Sequence, residues 1–279
     1  MSSSRVKFLL GLVYLSLIAL PINAIAQKPA WETITDGLQL GRFKAAEEAP
    51  AGDSAITILR VDPTRFEVQL LSISETGDKR GRTAGQWCEK YDLVAAVNAG
   101  MYAEDHSTHI GYMKSGDHVN NAKVVRKDYR SAAAFHPLQS GLPPFRIFDL
   151  DEDDIDSVCA RYGSVIQNIR LIKRPGENRW PEKPDRWSEA ALGEDKDGFM
   201  LFIFCRSPYT MHDLNDILLA LPIGLVCAQH LEGGPAAQLY LKYGGTEIDL
   251  RGSYETGSLE SGGNLGTWLI PNAIGISEK

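Results

Sequence analysis

Two short loops carry the residues best suited to chemistry. Asn98-Ala99-Gly100-Met101-Tyr102 follows the apolar run Leu93-Val94-Ala95-Ala96-Val97, and Glu232-Gly233-Gly234-Pro235 follows the apolar run 225–231. Sheet-based folds bind ligands where strand ends open into glycine loops. Glycine lets the backbone approach a ligand, and the freed N–H groups can hold an anion. Ordinary tight turns have the same composition, so the glycines alone do not decide between the two readings. Polar residues inside apolar strands say more. Asn168 and Arg170 stand at i and i+2, which puts them on one face of a strand. Glu189 lies within Trp187-Ser188-Glu189-Ala190-Ala191. A charge in a buried strand is costly unless it is paired or used. Arginine can hold a phosphate through two parallel hydrogen bonds, and a glutamate with a shifted pKa can act as general acid or base. The competing reading is a structural ion pair, Arg170–Glu189 or Arg170–Glu232.

Other constellations are weaker. His106 and His109 are three apart, but no acid or cysteine stands at a matching spacing, so no metal site is assigned. His230 sits in an apolar strand beside Glu232 and reads as a core histidine able to orient a carboxylate. Asp149, Asp151 and Asp153 have calcium-loop spacing, but Asp154 and Ala160 stand where such a loop needs glycine and glutamate. That acidic run reads instead as a helix start. No G-x-S-x-G, nucleotide-binding P-loop or H-E-x-x-H occurs, which argues against the common serine hydrolases, NTPases and zincins.

The elements that must position these residues follow from periodicity. Ile56-Thr57-Ile58-Leu59-Arg60-Val61 and the alternating Phe66, Val68 and Leu70 flank Asp62-Pro63-Thr64 and predict a hairpin. Residues 83–91 predict a helix capped by Thr83 with Trp87 inward. Residues 93–97 read as a strand buried on both faces. A second hairpin is predicted around Ser115-Gly116-Asp117. Strands are predicted at 132–135, 165–172, 187–192, 199–205, 225–231, 237–242 and 268–276. Leu214, Ile217, Leu218 and Leu221 predict a helix over 213–221. Residues 252–266 read as an exposed loop. Hairpins mixed with buried strands give an α+β fold: a single domain with a mixed β-sheet and flanking helices, spanning 54–279 after a lead-in at 27–53.

The chain has 279 residues, 43% hydrophobic and 23% charged, an ordinary globular composition. Its net charge of −7 is the wrong sign for a nucleic-acid binder, yet leaves room for a local basic pocket. Arg5 and Lys7 precede an apolar run from 8 to 20, and Ala24-Ile25-Ala26 offers a cleavage site. Residues 1–26 therefore read as a signal peptide, with an uncleaved anchor as the alternative. No later run approaches the length of a membrane span, so a soluble periplasmic or secreted protein is expected. Cys88, Cys159, Cys205 and Cys227 read as buried thiols rather than a disulfide framework.

Taken together, Asn98–Tyr102 and residues 232–236 give the chain a resemblance to the phosphodiester glycosidase family. The N-G-G-F/M-[FY] loop of that family corresponds to Asn98-Ala99-Gly100-Met101-Tyr102, and its D-G-G-G-S-like loop to Glu232-Gly233-Gly234-Pro235-Ala236. The closing V-P-N-A-[IL]-G strand corresponds to Ile270-Pro271-Asn272-Ala273-Ile274-Gly275, and the R-x-A-x-G segment with its following strand corresponds loosely to 186–193 and 199–205. The ordered set runs over roughly 54–276. Glu232 replaces the usual Asp, and Pro235-Ala236 replaces the usual Gly-Ser.

The resemblance implies an exported glycosidase that cleaves a sugar-1-phosphodiester, with a carbohydrate phosphodiester as partner. On this reading Glu232 and Glu189 are the carboxylate pair of glycoside cleavage. Asn98, Gly100, Tyr102, Asn168, Arg170, Gly233 and Gly234 bind substrate. No cofactor is assigned, and a divalent-cation requirement stays open. A non-catalytic binder of envelope glycan phosphate and a hydrolase of ordinary glycosides are the alternatives.

Overall fold

The computed structural model describes residues 31–258, 266 and 268–279. The expected signal peptide, 1–26, lies outside the described residues, as do positions 259–265 of the expected loop. In chain order the strands are β1 (Trp31–Thr35), β2 (Leu38–Lys44), β3 (Ala55–Val61), β4 (Phe66–Ser72), β5 (Ala95–Asn98), β6 (Met113–Ser115), β7 (His118–Asn121), β8 (Ser131–Pro137), β9 (Phe145–Asp149), β10 (Tyr162–Asn168), β11 (Arg170–Lys173), β12 (Glu177–Asn178), β13 (Arg186–Asp195), β14 (Met200–Thr210), β15 (Leu225–Gly233), β16 (Gln238–Tyr243), β17 (Thr246–Arg251) and β18 (Asn272–Glu278). The helices are α1 (Ile73–Thr76), α2 (Ala84–Tyr91), α3 (Ile155–Arg161) and α4 (Met211–Ala220), with a 3₁₀ turn at Gly234–Ala236.

The strands form three sheets, ordered β1-β2-β3-β14-β13-β15-β11-β12, β7-β6-β10-β8-β9 and β17-β16-β5-β18-β4. Every pairing among them is antiparallel. This corrects the expectation of one mixed sheet. The apolar runs are buried on both faces for a different reason. One face of each sheet meets a common core, and the other is covered by a helix. Along β14, Met200, Phe202 and Phe204 face the common core. Leu201, Ile203 and Cys205 alternate with them and pack beside Leu214 and Leu218 of α4. Trp87 of α2 packs against Ala96 and Ala273 behind the third sheet, and Val158 of α3 packs against Ala132 and Val165 behind the second. Period-two alternation with apolar residues on both faces gives the unbroken runs seen in the sequence.

The capped helix at 83–91 is present. Thr83 Oγ1 accepts from Gln86 N at 3.2 Å while the Gln86 side chain accepts from Thr83 N at 3.0 Å, a reciprocal capping box. The hairpin at 115–117 is also present, as β6 and β7. The hairpin read at 56–70 is not. β3 pairs with β2 and β14, whereas β4 pairs with β18. Leu59 and Val61 instead meet Phe66, Val68 and Leu70 across the common core. The single strand expected at 165–172 is likewise two. β10 ends at Asn168 in the second sheet, and β11 begins at Arg170 in the first. Residues 31–44 of the lead-in form β1 and β2, which extend the first sheet.

All four cysteines are unpaired, with Cys88, Cys205 and Cys227 buried. Burial pushes those three thiols up to about 12. Among the described residues no helix is long and apolar enough to cross a membrane.

Candidate active site

The site lies where β5, β10 and β15 end close together. Asn98, the last residue of β5, is 1% exposed, and its Oδ1 accepts the Gln238 backbone N–H at 2.9 Å. Its Nδ2 has no partner among the described residues. Asn168, the last residue of β10, donates from Nδ2 to the Ala99 carbonyl at 3.0 Å. This bond ties the end of β10 to the loop after β5. Gly100 sits in that junction at φ +154°, where a Cβ would stand 2.4 Å from Asn168 Oδ1 and 2.6 Å from the His109 ring. The loop therefore requires glycine for a close approach. His109 is fully buried with Nε2 2.8 Å from the Gln167 carbonyl, and burial lowers its pKa to about 4. It supports the loop as a neutral ring.

Glu232 comes from the end of β15. It is half-buried, and its Oε1 accepts the Gly233 N–H at 3.1 Å. Desolvation raises its pKa to about 7; His230 and the Gly233 hydrogen bond oppose the rise, and the Glu189 and Glu255 charges add to it. The phenols of Tyr102 and Tyr129 are raised to about 12, by burial first and then by the charge of Glu232. Gly233 leaves space for the Trp187 indole, whose Cδ1 would lie 2.4 Å from a Cβ there. Gly234 adopts φ +59°, with Glu255 Oε2 3.1 Å from where a Cβ would be.

Glu189 is placed differently from the expected catalytic pair. It lies on β13 opposite Gly233, while Ala190 lies opposite Glu232. The side chain is 0% exposed. Oε1 is 2.7 Å from His230 Nδ1, and Oε2 accepts the Trp187 Nε1–H at 2.8 Å. Both oxygens are thus occupied by protein. Burial opposes charge on His230, but the Glu189 carboxylate and its hydrogen bond outweigh it and raise the imidazole. Trp180 and Trp187 enclose the ring, each with its centroid 6.2 Å away. Glu189 and His230 form a sealed pair behind Glu232.

Arg170 is also placed differently. Its Nη1 lies 2.7 Å from both oxygens of Asp149 and 2.7 Å from Asp151 Oδ2. The structural ion pair is real, but its partners are these two aspartates rather than Glu189 or Glu232. The break at Ile169 also separates Asn168 from Arg170, so the two no longer share a strand face. The acidic run is thereby split between this ion pair and the cap of α3, where Asp154 accepts Ser157 N. Among the described residues, no group of three or more His, Cys, Asp or Glu is placed to hold a metal ion.

Sequence reasoning underrated His230 and did not find Trp180, Tyr129 or Glu255. Trp187 stands two residues before Glu189, so its place on the same strand face was legible. Tyr129, Trp180 and Glu255 reach the site only through tertiary packing.

A half-buried carboxyl raised toward neutrality at a strand end, beside a glycine loop, can serve as a general acid or base. The chain belongs to the phosphodiester glycosidase family, which matches residues 91–277. Its fold is similar to the catalytic domain of zebrafish N-acetylglucosamine-1-phosphodiester α-N-acetylglucosaminidase, solved auto-inhibited by its pro-peptide. The TM-score is 0.60 at 16% identity, covering 89% of this chain and 86% of that one. A hypothetical protein from Synechocystis is similar at TM-score 0.57 and 13% identity, covering 91% of this chain and 65% of that one. No curated protein sequence matches.

Proposed function

We propose that the protein is an exported glycosidase that hydrolyses the C1–O bond of a sugar-1-phosphodiester in cell-envelope or extracellular glycans. Water adds at C1, the C1–O bond breaks, and the products are the free sugar and a phosphomonoester. The observation that carries this reading is Glu232, whose carboxyl is raised to about 7 at the mouth of the Gly233-Gly234 loop. A phosphate leaves without strong protonation, so the greater need is to activate water and to stabilise positive charge at C1. An ionised Glu232 serves both needs, and a pKa near neutrality is the value at which a general base is most effective. Asn98 and the Gly100 backbone line the opposite loop and hold the sugar and phosphate. The phenols of Tyr102 and Tyr129 feel the charge of Glu232. Glu189, with both oxygens occupied, positions Trp187 and His230 rather than meeting substrate.

The family membership supports the bond type, and the N-acetylglucosamine-1-phosphodiester in the zebrafish enzyme's name supports the substrate class. The leader pattern at 1–26 supports export. The test is to assay free sugar from purified residues 27–279 with UDP-GlcNAc and a panel of sugar-1-phosphodiesters, with and without divalent cations. Release that is lost in Glu232→Gln is the expected result. Full activity in Glu232→Gln overturns the assignment, and binding without release across the panel moves the protein to a glycan-phosphate binder. Mass spectrometry of the mature protein from fractionated cells tests cleavage after Ala26.

A further inference from the structure

Beside the carboxylate site lies a cleft of about 290 Å³ whose lining is rich in lysine and arginine. Lys127, Arg130, Arg179 and Lys183 stand around Trp180, and Asp128 is the one acid of the lining. This is the reverse of the charge of the chain, which is −7 overall. The arginines of the lining are paired, and the unpaired charge comes from its two lysines. Asp149 and Asp151 are engaged by Arg170, with Arg130 3.3 Å from Asp151, and Arg179 reaches Glu177 at 2.6 Å. Lys127 and Lys183 are exposed and have no carboxylate within ion-pair distance among the described residues. An anion bound in the cleft gains from both ammonium groups, which line it without a carboxylate of their own.

The cleft is also built rather than merely charged. Trp180 is half-buried and fixed at both ends. Its backbone N–H donates to Asn178 Oδ1 at 3.2 Å, and its backbone carbonyl lies 2.8 Å from His212 Nδ1. Its ring packs on Trp187 and His230. A held indole beside cations is suited to a ligand that is flat or sugar-like at one end and anionic at the other. The cleft neighbours the candidate site: the carbonyl of its lining residue Ile169 accepts the His230 N–H at 2.9 Å, the Trp180 ring packs on His230, and His230 lies two residues before Glu232. At this volume it holds part of a ligand and not a whole one.

We propose that this cleft is a second anion subsite, which takes a further phosphate of the substrate beyond the one at C1. The substrate class is then a sugar carrying at least two phosphates in sequence. The identity of the ligand rests on the proposed function, whereas the existence of the subsite does not. Two sources share this chemistry: the diphosphate of a nucleotide sugar and the neighbouring phosphate of a chain of sugar phosphates.

The first probe is inorganic pyrophosphate, titrated calorimetrically at low salt into the full chain carrying Glu232→Gln, with and without Lys127→Gln/Lys183→Gln. Both lysines are exposed, so the double variant keeps the fold. Binding that weakens about tenfold or more in the double variant, and is restored by Lys→Arg at both positions, is the expected result. No pyrophosphate binding, or equal binding in the double variant, overturns the subsite. With Glu232 intact, the double variant should raise KM about tenfold for UDP-GlcNAc or for a sugar-phosphate oligomer, and leave a singly charged phosphodiester unchanged. The arm that responds identifies the source, and a response in neither overturns the proposal. Lysine-dependent pyrophosphate binding without sugar release from any substrate would instead sink the proposed function and keep the subsite.

Discussion

His230 Nδ1 lies 2.7 Å from Glu189 Oε1, and this pair is sealed between Trp180 and Trp187 with 5% and 0% of the two side-bearing residues exposed. Removing one member leaves the other buried without its partner. His230→Phe should therefore cost about 3–5 kcal/mol, the usual loss when a buried ion pair is broken from one side. Glu189→Gln should cost less, about 1–2 kcal/mol, because an amide can still accept from Trp187 and donate to a neutral imidazole. Urea titrations of the two variants check the order; a larger loss in Glu189→Gln would contradict it.

Glu232 couples activity and stability to pH. As a general base it must be ionised, so kcat/KM should rise with pH through about 7, the value to which desolvation lifts it. Its folded pKa is above the ordinary 4.5, so its protonated form favours the native state. That contribution is complete below about 4.5 and is lost as pH rises through about 7. Glu232→Gln removes the penalty of an ionised, half-buried carboxylate. It should be inactive, yet more stable than the parent by about 1–3 kcal/mol at about pH 8 and no more stable at about pH 4. Thermal melts across this range with activity profiles of the parent provide the check.

Arg170 offers a separation between binding and structure. Asp149 is 9% exposed, and Arg170 meets both of its oxygens. Arg170→Gln should lower stability by about 3 kcal/mol or more while KM of the folded protein for a singly charged phosphodiester stays within about twofold. A raised KM with unchanged melting would restore the phosphate-holding role expected from the sequence.

Gly100 tests the junction of the two loops. Alanine there forces the Asn168 amide or the His109 ring to move, since both lie well inside contact distance of the new Cβ. The expected cost is about 1–3 kcal/mol, with activity falling further because Asn168 and the loop after β5 move together. Melting and initial-rate measurements on Gly100→Ala are sufficient.

What the sequence showed were features set by neighbours along the chain. The capping box of α2 needs only Thr83 and Gln86, and the alternation of β14 needs only its own side chains. The two glycine loops were visible because an apolar run stopping at glycine is a local pattern. Strand partnership is not local. β3 and β4 have hairpin chemistry between them, yet the core residues of the two strands gain more by meeting face to face across the core. One residue, Ile169, passes the chain from one sheet to another, and nothing in 165–172 marks it as a border. The choice of Asp149 rather than Glu189 for Arg170 follows from that border, so it was equally hidden.

β18 has a consequence for how the protein folds. It lies between β4 and β5, pairing Glu278 with Phe66 at one edge and Ala273 with Asn98 at the other. Two strands made early in synthesis are therefore joined only by a strand made much later. The loop after β5 gains one of its anchors only when residues 272–278 dock, because the Ala99 N–H bonds to the Asn272 carbonyl. Contacts so far apart in sequence form slowly. Recovery of activity during refolding should thus follow the slowest step in structure formation, and a chain shortened before Asn272 should leave both inner strand edges open to self-association.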